Sequence, residues 1–462
     1  MHRSAATPAQ APDPTLAPPE PVGFGAALRF WLKLGFISFG GPAGQIAIMH
    51  EELVVRRRWL SERRFLHALN YCMLLPGPEA QQLATYIGWL MHRTWGGIVA
   101  GALFVLPSLL VLIGLSWVYL AFGQVPWVAG LFDGIKPAVT AIVLHAAHRI
   151  GKRALRHRAL WALSAAAFIG IAWLHLPFPL IVAGAALLGA VGGRWWPSVF
   201  QSGAHHGAAA SPHAPALIDD DTPRAPHTHF HWGRLAGIVA VALLLWAVPL
   251  GALATHWGWT HALPQMAWFF TKAAWLTFGG AYAVLPYVAQ VAVDHFHWLS
   301  APQMIDGLAL GETTPGPLIM VVAFVGFVGA GLQSVLGPDS LAASGALGAV
   351  VATWFTFLPS FLLILAGGPL VESSRHALHV NTALTGVTAA VVGVILNLAL
   401  FFAWHVLWPR GWLPAPAWLG GVNLPAVGIM LAAAVALLRF QRGVVEVIGV
   451  SALIGLAIRL LA

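Results

Sequence analysis

The chain has 462 residues, of which 58% are hydrophobic and only 9% are charged, with a formal net charge of +8. Soluble domains carry about 25% charged residues, so this composition excludes a soluble globular enzyme, and the apolar content excludes disorder over most of the chain. Repeated apolar runs of about 18 to 25 residues predict an all-α polytopic integral membrane protein in a lipid bilayer. We attribute the positive charge to cytoplasmic loops rather than to nucleic-acid binding.

Four segments follow one another along the chain. Residues 1–22 are rich in Ala and Pro and are expected to form a disordered tail. Residues 23–194 form a first apolar repeat, and residues 234–462 form an extra crossing helix followed by a second repeat. Residues 195–233 are polar and are interpreted as a linker between two membrane halves.

The linker is rich in histidine. Its six histidines are His205, His206, His213, His227, His229 and His231. Such a cluster could bind a metal ion, but it lies in a polar stretch without cysteine, so we interpret it as a spacer. The sequence therefore predicts no metal site and no cofactor.

The two halves repeat one another in register. Lys272 lies 239 positions after Lys33 (272 − 33), and three motifs keep this offset. They are Phe39-Gly40-Gly41 with Phe278-Gly279-Gly280, Trp59-Leu60-Ser61 with Trp298-Leu299-Ser300, and Pro76-Gly77-Pro78 with Pro315-Gly316-Pro317. Further along, Leu106-Pro107-Ser108 matches Leu358-Pro359-Ser360. Duplicated halves of this kind are typical of transporters, whose binding site lies at the repeat interface.

Charge bias predicts the orientation of the repeats. Five arginines crowd residues 56–64, whereas the matching residues 294–303 contain no Lys or Arg. Positive loops face the cytoplasm, so the two loops are expected on opposite sides of the membrane, as in inverted-topology repeats. Residues 65–92 are expected to enter and return as two half-helices broken at Pro76-Gly77-Pro78; a kinked full span is the alternative. About four full spans complete each half.

The Gly and Pro motifs are the candidate substrate site. A break inside an apolar segment frees backbone groups, and the restarted half-helix directs amides and a positive dipole end at the membrane midplane, which suits an anion. The alternative is that these residues only permit kinks and close helix packing. The candidate residues are Phe39, Gly40, Gly41, Pro76, Gly77, Pro78, Phe278, Gly279, Gly280, Thr313, Thr314, Pro315, Gly316 and Pro317.

Four ionisable residues lie near these motifs. Lys33 and Lys272 each precede a Phe-Gly-Gly motif by six positions and are candidate ligands for a dianion; their alternative is snorkelling to the membrane interface. Glu79 follows the first Pro-Gly-Pro motif and Glu312 precedes the second. These carboxylates are candidates for proton coupling or gating, and the alternative is that they cap half-helix ends.

The sequence carries no motif for chemical catalysis. It has no phosphate-binding loop, no His-Glu-x-x-His and no Gly-x-Ser-x-Gly, so we assign no catalytic residues and predict that the protein is not an enzyme. Transport energy is then expected from an ion gradient, the membrane potential or a separate subunit.

With these motifs in this order, the chain resembles the chromate ion transporter family in its long, two-domain form. In addition to the repeated motifs, the resemblance rests on Gly311-Glu312-Thr313-Thr314 and Phe324-Val325-Gly326-Phe327. It implies a multi-pass protein of the bacterial inner membrane that exports chromate. Membrane potential or proton antiport is expected to drive the export.

Several alternatives remain open on the sequence alone. Sulfate is a second candidate ion, because it is also a tetrahedral dianion of similar size. An integral-membrane enzyme using Glu79, Glu312 and His145 is less favoured, because an enzyme has no need of two-sided symmetry. A passive anion channel is the third alternative. A homodimer is compatible with the sequence, and no nucleic-acid partner is expected.

Overall fold

The computed structural model describes residues 19–39, 41–200, 215–223, 225–373, 381–409 and 421–461. Gly40, most of the tail, and His205, His206 and His213 lie outside the described residues. The described chain is helical apart from a single β-bridge between Leu60 and Ile218. Seven of its helices are long and apolar enough to cross a membrane, which confirms the predicted all-α polytopic class.

Eight helices precede the inter-repeat crossing. They are α1 (Phe24–Ile37), α2 (Gly41–His50, extended by a π-helical turn at Glu51–Arg56), α3 (Glu62–Leu74), α4 (Glu79–Phe122), α5 (Pro126–Ala154), α6 (Arg158–Ala172), α7 (Phe178–Trp195) and the short α8 (Pro197–Phe200). Helix α4 is bent at His92 and Arg93, where the φ of Arg93 is +57°. Helix α9 (Trp232–Trp257) follows the linker and is the extra crossing predicted over residues 235–255.

The second half repeats the first element by element. Its helices are α10 (Ala262–Leu276), α11 (Ala281–Ala289, extended by a π-helical turn at Gln290–His295), α12 (Ala301–Thr313), α13 (Val321–Leu332, preceded by a 3-10 turn at Leu318–Met320), α14 (Leu341–Ser373), α15 (Asn381–Leu407), α16 (Leu424–Leu438) and α17 (Val444–Leu461). The two π-helical turns are separated by the same offset of 239 (290 − 51). Helices α16 and α17 follow α6 and α7 at an offset of 266 (444 − 178). The duplication read from the motifs therefore extends to the whole fold.

The broken segments fold back as helical hairpins. The rings of Tyr71 in α3 and Tyr86 in α4 have centroids 5.6 Å apart. Fifteen residues of continuous helix would separate them by about 22 Å, so residues 65–92 enter and return as expected. In the second half, a Cβ at Gly307 of α12 would meet the Phe324 ring of α13, which shows the same fold-back.

A second hairpin in each half is formed by the helices on either side of Phe-Gly-Gly. The rings of Phe30 in α1 and Trp59 beyond α2 have centroids 4.9 Å apart, and the equivalent Phe269 and Trp298 are 5.7 Å apart. We call α1–α2 and α10–α11 the A hairpins, and α3–α4 and α12–α13 the B hairpins. Their arms, counting only the part of α4 before its bend at His92, have roughly 9 to 16 residues and are shorter than the ~20 residues needed to span a bilayer.

The order of hairpins and spans produces the inversion. A hairpin returns the chain to the side it came from. Four crossings in each half do the same, three by helices long enough to span a membrane and one by the shorter apolar helix α6 or α16. Helix α9 is a single crossing with no counterpart in the repeat, so the second half starts on the opposite side of the membrane. This parity supports the inverted arrangement predicted from the charge bias.

The halves are interlocked rather than side by side. Helix α5 of the first half packs on α16 and α17 of the second, and α15 packs on α6 and α7. Gly134 lies against the backbone of Ser451 and Gly455, and its equivalent Gly386 lies against Gly189. Small residues allow this close approach of helix backbones, which is a main source of helix association in membranes.

Part of the linker is docked rather than free. Backbone hydrogen bonds join the linker to the arginine-rich residues 56–64. The N–H groups of Leu217 and Ile218 donate to the carbonyls of Arg58 and Trp59, and the N–H of Ser61 donates to the carbonyl of Ile218. His227 Nε2 lies 3.0 Å from the carbonyl oxygen of Trp89. Over these residues the linker packs against the first half. No group of three His, Cys, Asp or Glu side chains in the described part of the chain is arranged to hold a metal ion.

The inversion predicts opposite accessibility for two equivalent loop residues. His175 precedes α7 and Gln441 precedes α17, both are exposed, and their φ angles are +50° and +51°. In a Cys72→Ala background, a cysteine at position 175 should react with a membrane-impermeant maleimide only from outside, and one at position 441 only from inside. Labelling of both from the same side would contradict the inversion.

Candidate functional site

The tip of each hairpin is the turn between its two arms, at Phe-Gly-Gly in the A hairpins and at Pro-Gly-Pro in the B hairpins. The four tips meet through two reciprocal backbone hydrogen bonds. The N–H of Gly77 in the first B hairpin donates to the C=O of Thr277 in the second A hairpin, at 2.7 Å. The N–H of Gly316 in the second B hairpin donates to the C=O of Ser38 in the first A hairpin, at 2.8 Å. Ser38 and Thr277 are equivalent residues, and so are Gly77 and Gly316, so each tip of one half pairs with a tip of the other. The motif repeats are thus brought together at the interface between the halves.

Both donors have to be glycine. The φ of Gly77 is +125° and that of Gly316 is +105°, a region that L side chains rarely adopt. A Cβ at Gly77 would lie 2.4 Å from Ser360 Oγ, and one at Gly316 would lie 2.6 Å from Ser108 Cβ. Ser108 and Ser360 belong to the repeated Leu-Pro-Ser motif, so the long helices α4 and α14 each press on the tip of the other half.

Helix N-termini surround this junction. Helix α2 starts at Gly41, α4 at Glu79, and α11 directly after Gly280, while α13 follows the 3-10 turn after Pro317. The first amides of a helix have no partner within it, and its dipole places about half a positive charge there. Four such ends at one place give a local positive potential, which is favourable for a negatively charged group.

Buried polar side chains line the same place. The Gln45 amide donates to the C=O of Gly316, and the Gln82 amide donates to the C=O of Pro76 at 2.7 Å. Within the described residues, Oε1 of Gln45, Gln81 and Gln82 and Oγ of Ser108 are buried without a hydrogen-bond partner. Buried polar atoms are normally satisfied, so these atoms indicate a place where water or a ligand completes the hydrogen bonds.

The two predicted carboxylates lie at the tips but in different environments. Glu79 is half-buried, and its Oε1 lies 3.9 Å from the position a Cβ of Gly280 would occupy. Glu312 is only 5% exposed and accepts a hydrogen bond from the hydroxyl of Tyr282. The positive charge of Arg149 on α5 also acts on Glu312.

The two predicted lysines are placed differently. Lys33 and Lys272 lie on exposed faces of α1 and α10, and the ammonium of Lys272 is 5.9 Å from the ring centroid of Trp268. A lysine paired with an outward tryptophan is typical of a residue near the membrane interface. The structure therefore brings the tips together, and among the described residues neither lysine has a recorded contact with a tip.

The other predicted site residues lie in different environments. The hydroxyls of Thr313 and Thr314 donate to carbonyls of their own helix, at Ala309 and Gly311. Phe39 is partly exposed. Phe278 lines an apolar cavity of about 270 Å³ beside the second A hairpin. Gly279 lies beside α15, where its Cβ would be 3.7 Å from the hydroxyl of Thr388.

Sequence reasoning missed two buried carboxylates. Asp306 on α12 is 2% exposed and Glu372 on α14 is 1% exposed, and both bind cations of the first half. The available signal was an ionisable residue inside an apolar segment, which is costly unless partnered. Ser108 and Ser360 were visible as a repeated motif but were not assigned to the site.

The fold is a duplicated membrane architecture in which the hairpin tips of the two halves meet at the interface between them. A sequence description of the chromate transporter family matches residues 26–190 and 264–456, and the chain belongs to that family. It is accordingly a multi-pass inner-membrane protein.

Three relatives extend over most of the chain. A chromate transport protein of Pseudomonas aeruginosa is 33% identical over 84% of this chain and 83% of its own length. One of Cupriavidus metallidurans is 28% identical, covering 81% and 82%. A probable chromate transport protein of Synechococcus elongatus is 29% identical, covering 79% and 81%. No solved structure matches the chain.

Replacement of Gly316 by alanine tests the junction. The added Cβ meets Ser108 and the backbone is strained, so we expect uptake of the transported anion to fall by roughly tenfold or more, as a cost of about 1.4 kcal/mol or above implies. Gly114→Ala is the matched control, because a Cβ there meets nothing within 4 Å. Equal flux in both variants, at equal membrane levels, would argue against the tip junction as the site.

Proposed function

We propose that this protein is a secondary transporter that exports chromate across the inner membrane. Three relatives that cover 79% to 84% of its length are named for chromate transport. The observation that carries the proposal is the meeting of four half-helix tips, joined by the Gly77–Thr277 and Gly316–Ser38 hydrogen bonds, at the interface of two inverted halves.

In this proposal the oxyanion binds between the four tips. Its oxygens accept hydrogen bonds from the first amides of α2, α4, α11 and α13, and from the hydroxyl of Ser108, whose Oγ is buried and unpartnered among the described residues. Phe39, Gly41, Gly279 and Gly280 form the walls of the A tips. Lys33 and Lys272 act from the exposed faces of α1 and α10 as charges that attract the anion.

The membrane potential favours the outward direction. With the inside negative, moving a dianion outward gains about 4.6 kcal/mol per 100 mV, at ~2.3 kcal/mol per charge. That is roughly three decades of concentration ratio at about 1.4 kcal/mol per decade. The potential alone is therefore sufficient to drive export.

Proton antiport is the sharper form of the proposal. Glu79 and Glu312 are the two carboxylates at the tips, and both lie where a change in charge would act on a bound anion. Glu312 accepts a hydrogen bond from the Tyr282 hydroxyl and interacts electrostatically with Arg149. Glu79, the first residue of α4, faces Gly280. We assign the proton to one of these two residues.

Sulfate is the alternative substrate. A site made of backbone amides and hydroxyls recognises a tetrahedral dianion by charge and hydrogen bonding, and it discriminates poorly between two ions that differ little in size. The preference between the two ions is decided by measurement of competition.

Inverted membrane vesicles test the transport activity. Labelled chromate should accumulate in vesicles that contain the protein and should increase with an imposed potential, positive inside. Sulfate is added in increasing excess to measure competition. Flux that saturates and shows counter-transport identifies a carrier. Linear flux would identify a channel, and loss of chromate with appearance of a product would identify an enzyme.

Two conservative variants test the coupling. Under a pH gradient without a potential, Glu79→Gln or Glu312→Gln should abolish the gradient-driven component of uptake, while potential-driven uptake persists. Glu62→Gln is the control, since Glu62 is exposed and paired with His50 away from the tips. If the gradient-driven component survives in both single variants and in the double variant, proton coupling through the tips is wrong.

A further inference from the structure

Two clusters of ionisable residues connect the halves away from the tips. In the inner cluster, the Glu372 carboxylate of α14 accepts a hydrogen bond from Arg64 Nη1 of α3 at 3.0 Å and from the Tyr86 hydroxyl of α4 at 2.5 Å. Glu372 is 1% exposed. The carboxylate belongs to the second half and both donors belong to the first.

The outer cluster has the same composition. Oδ2 of Asp306 on α12 accepts from the Tyr119 hydroxyl of α4 at 2.9 Å and lies 3.6 Å from Lys136 Nζ on α5. Again the carboxylate comes from the second half, and the tyrosine and the cation come from the first. Lys136 also lies 4.0 Å from Asp133, which Arg459 binds at 2.8 Å, so Lys136 has a second acidic partner available.

The two clusters lie at opposite ends of the molecule. Leu120, next to Tyr119, lies with Leu341 against Gly331, so the outer cluster is close to the start of α14. Glu372 lies 31 residues further along α14, about 46 Å at 1.5 Å per residue. Ser360, which contacts the tip at Gly77, lies between them. Arg64, in the first turn of α3, is the last of the five arginines in residues 56–64, so the inner cluster is on the cytoplasmic side.

We propose that the two clusters are the gates of the transport cycle. The inference rests on the proposed function, because gates are needed only if the tips bind a transported ion. Both clusters are intact here, so the tips are closed from both sides. The inner gate opens when Glu372 separates from Arg64 and Tyr86. The outer gate opens when Asp306 separates from Lys136 and Tyr119, with Lys136 then held by Asp133.

Ion pairs suit this role physically. Removing one partner of a buried pair leaves an uncompensated charge, so a gate is firmly closed while its partners are together. Because each gate joins the halves at one end only, one end can open while the other stays closed.

Sided cysteine labelling tests the proposal in full-length protein. Cys72, the only cysteine of the chain, is buried on α3 near the inner gate. In inverted vesicles, Glu372→Gln should raise the rate of Cys72 labelling by an impermeant maleimide about tenfold, and Asp306→Asn should not. For the outer gate, a cysteine at the buried Ala309 of α12, in a Cys72→Ala background, is labelled from outside in spheroplasts. Asp306→Asn should raise that rate about tenfold, and Glu372→Gln should not.

Milder variants guard against misfolding. Tyr86→Phe and Tyr119→Phe keep the ring packing and remove one hydrogen bond, so each should give a smaller increase at its own reporter. Glu62→Gln, an exposed substitution on α3, should change neither reporter. Equal labelling in wild type and variants, or an equal rise at both reporters, overturns the gates. The labelling needs no substrate, so failed chromate uptake with intact sided labelling would reject the export proposal and leave the gates standing.

Discussion

Backbone N–H and C=O groups have no water to bond inside a bilayer, and the fold depends on how it satisfies those freed at the helix breaks. The two halves satisfy each other's groups: the N–H of Gly77 donates to the carbonyl of Thr277, and the N–H of Gly316 donates to the carbonyl of Ser38. Each half supplies the carbonyl that the other half lacks. A single half would leave its tips unsatisfied, so the interface between the halves is a requirement of the fold and also the place where a ligand can find free amides.

The interlocked packing holds that junction in place. Helix α5 packs on α16 and α17, helix α15 packs on α6 and α7, and glycines at the crossings bring the backbones together. The buried Glu372 and Asp306 pairs join the two halves on either side of this junction.

Most of the fold could be predicted from the sequence, because the patterns that indicate it involve residues that are close together in the chain. Apolar runs predict the membrane spans, Pro and Gly predict the helix breaks, and the arginines at residues 56–64 predict the orientation of the repeats. The re-entrant B hairpin followed from the same charges. The lysines show the limit of this reasoning. Lys33 and Lys272 share a register with the breaks, but the phase of their helices turns them to the outside, which depends on which face packs inward.

What the sequence determined by itself is the class of protein, the duplication, its inversion and the position of the breaks, since each follows from the chemistry of neighbouring residues. What only the tertiary structure decided is which tips pair, which residues press on them, and which cations meet the buried carboxylates. Arg64 and Glu372 are 308 positions apart, and Gln45 and Gly316 are 271 apart. Contacts over such separations leave no local pattern, because they are fixed by the packing of one half against the other.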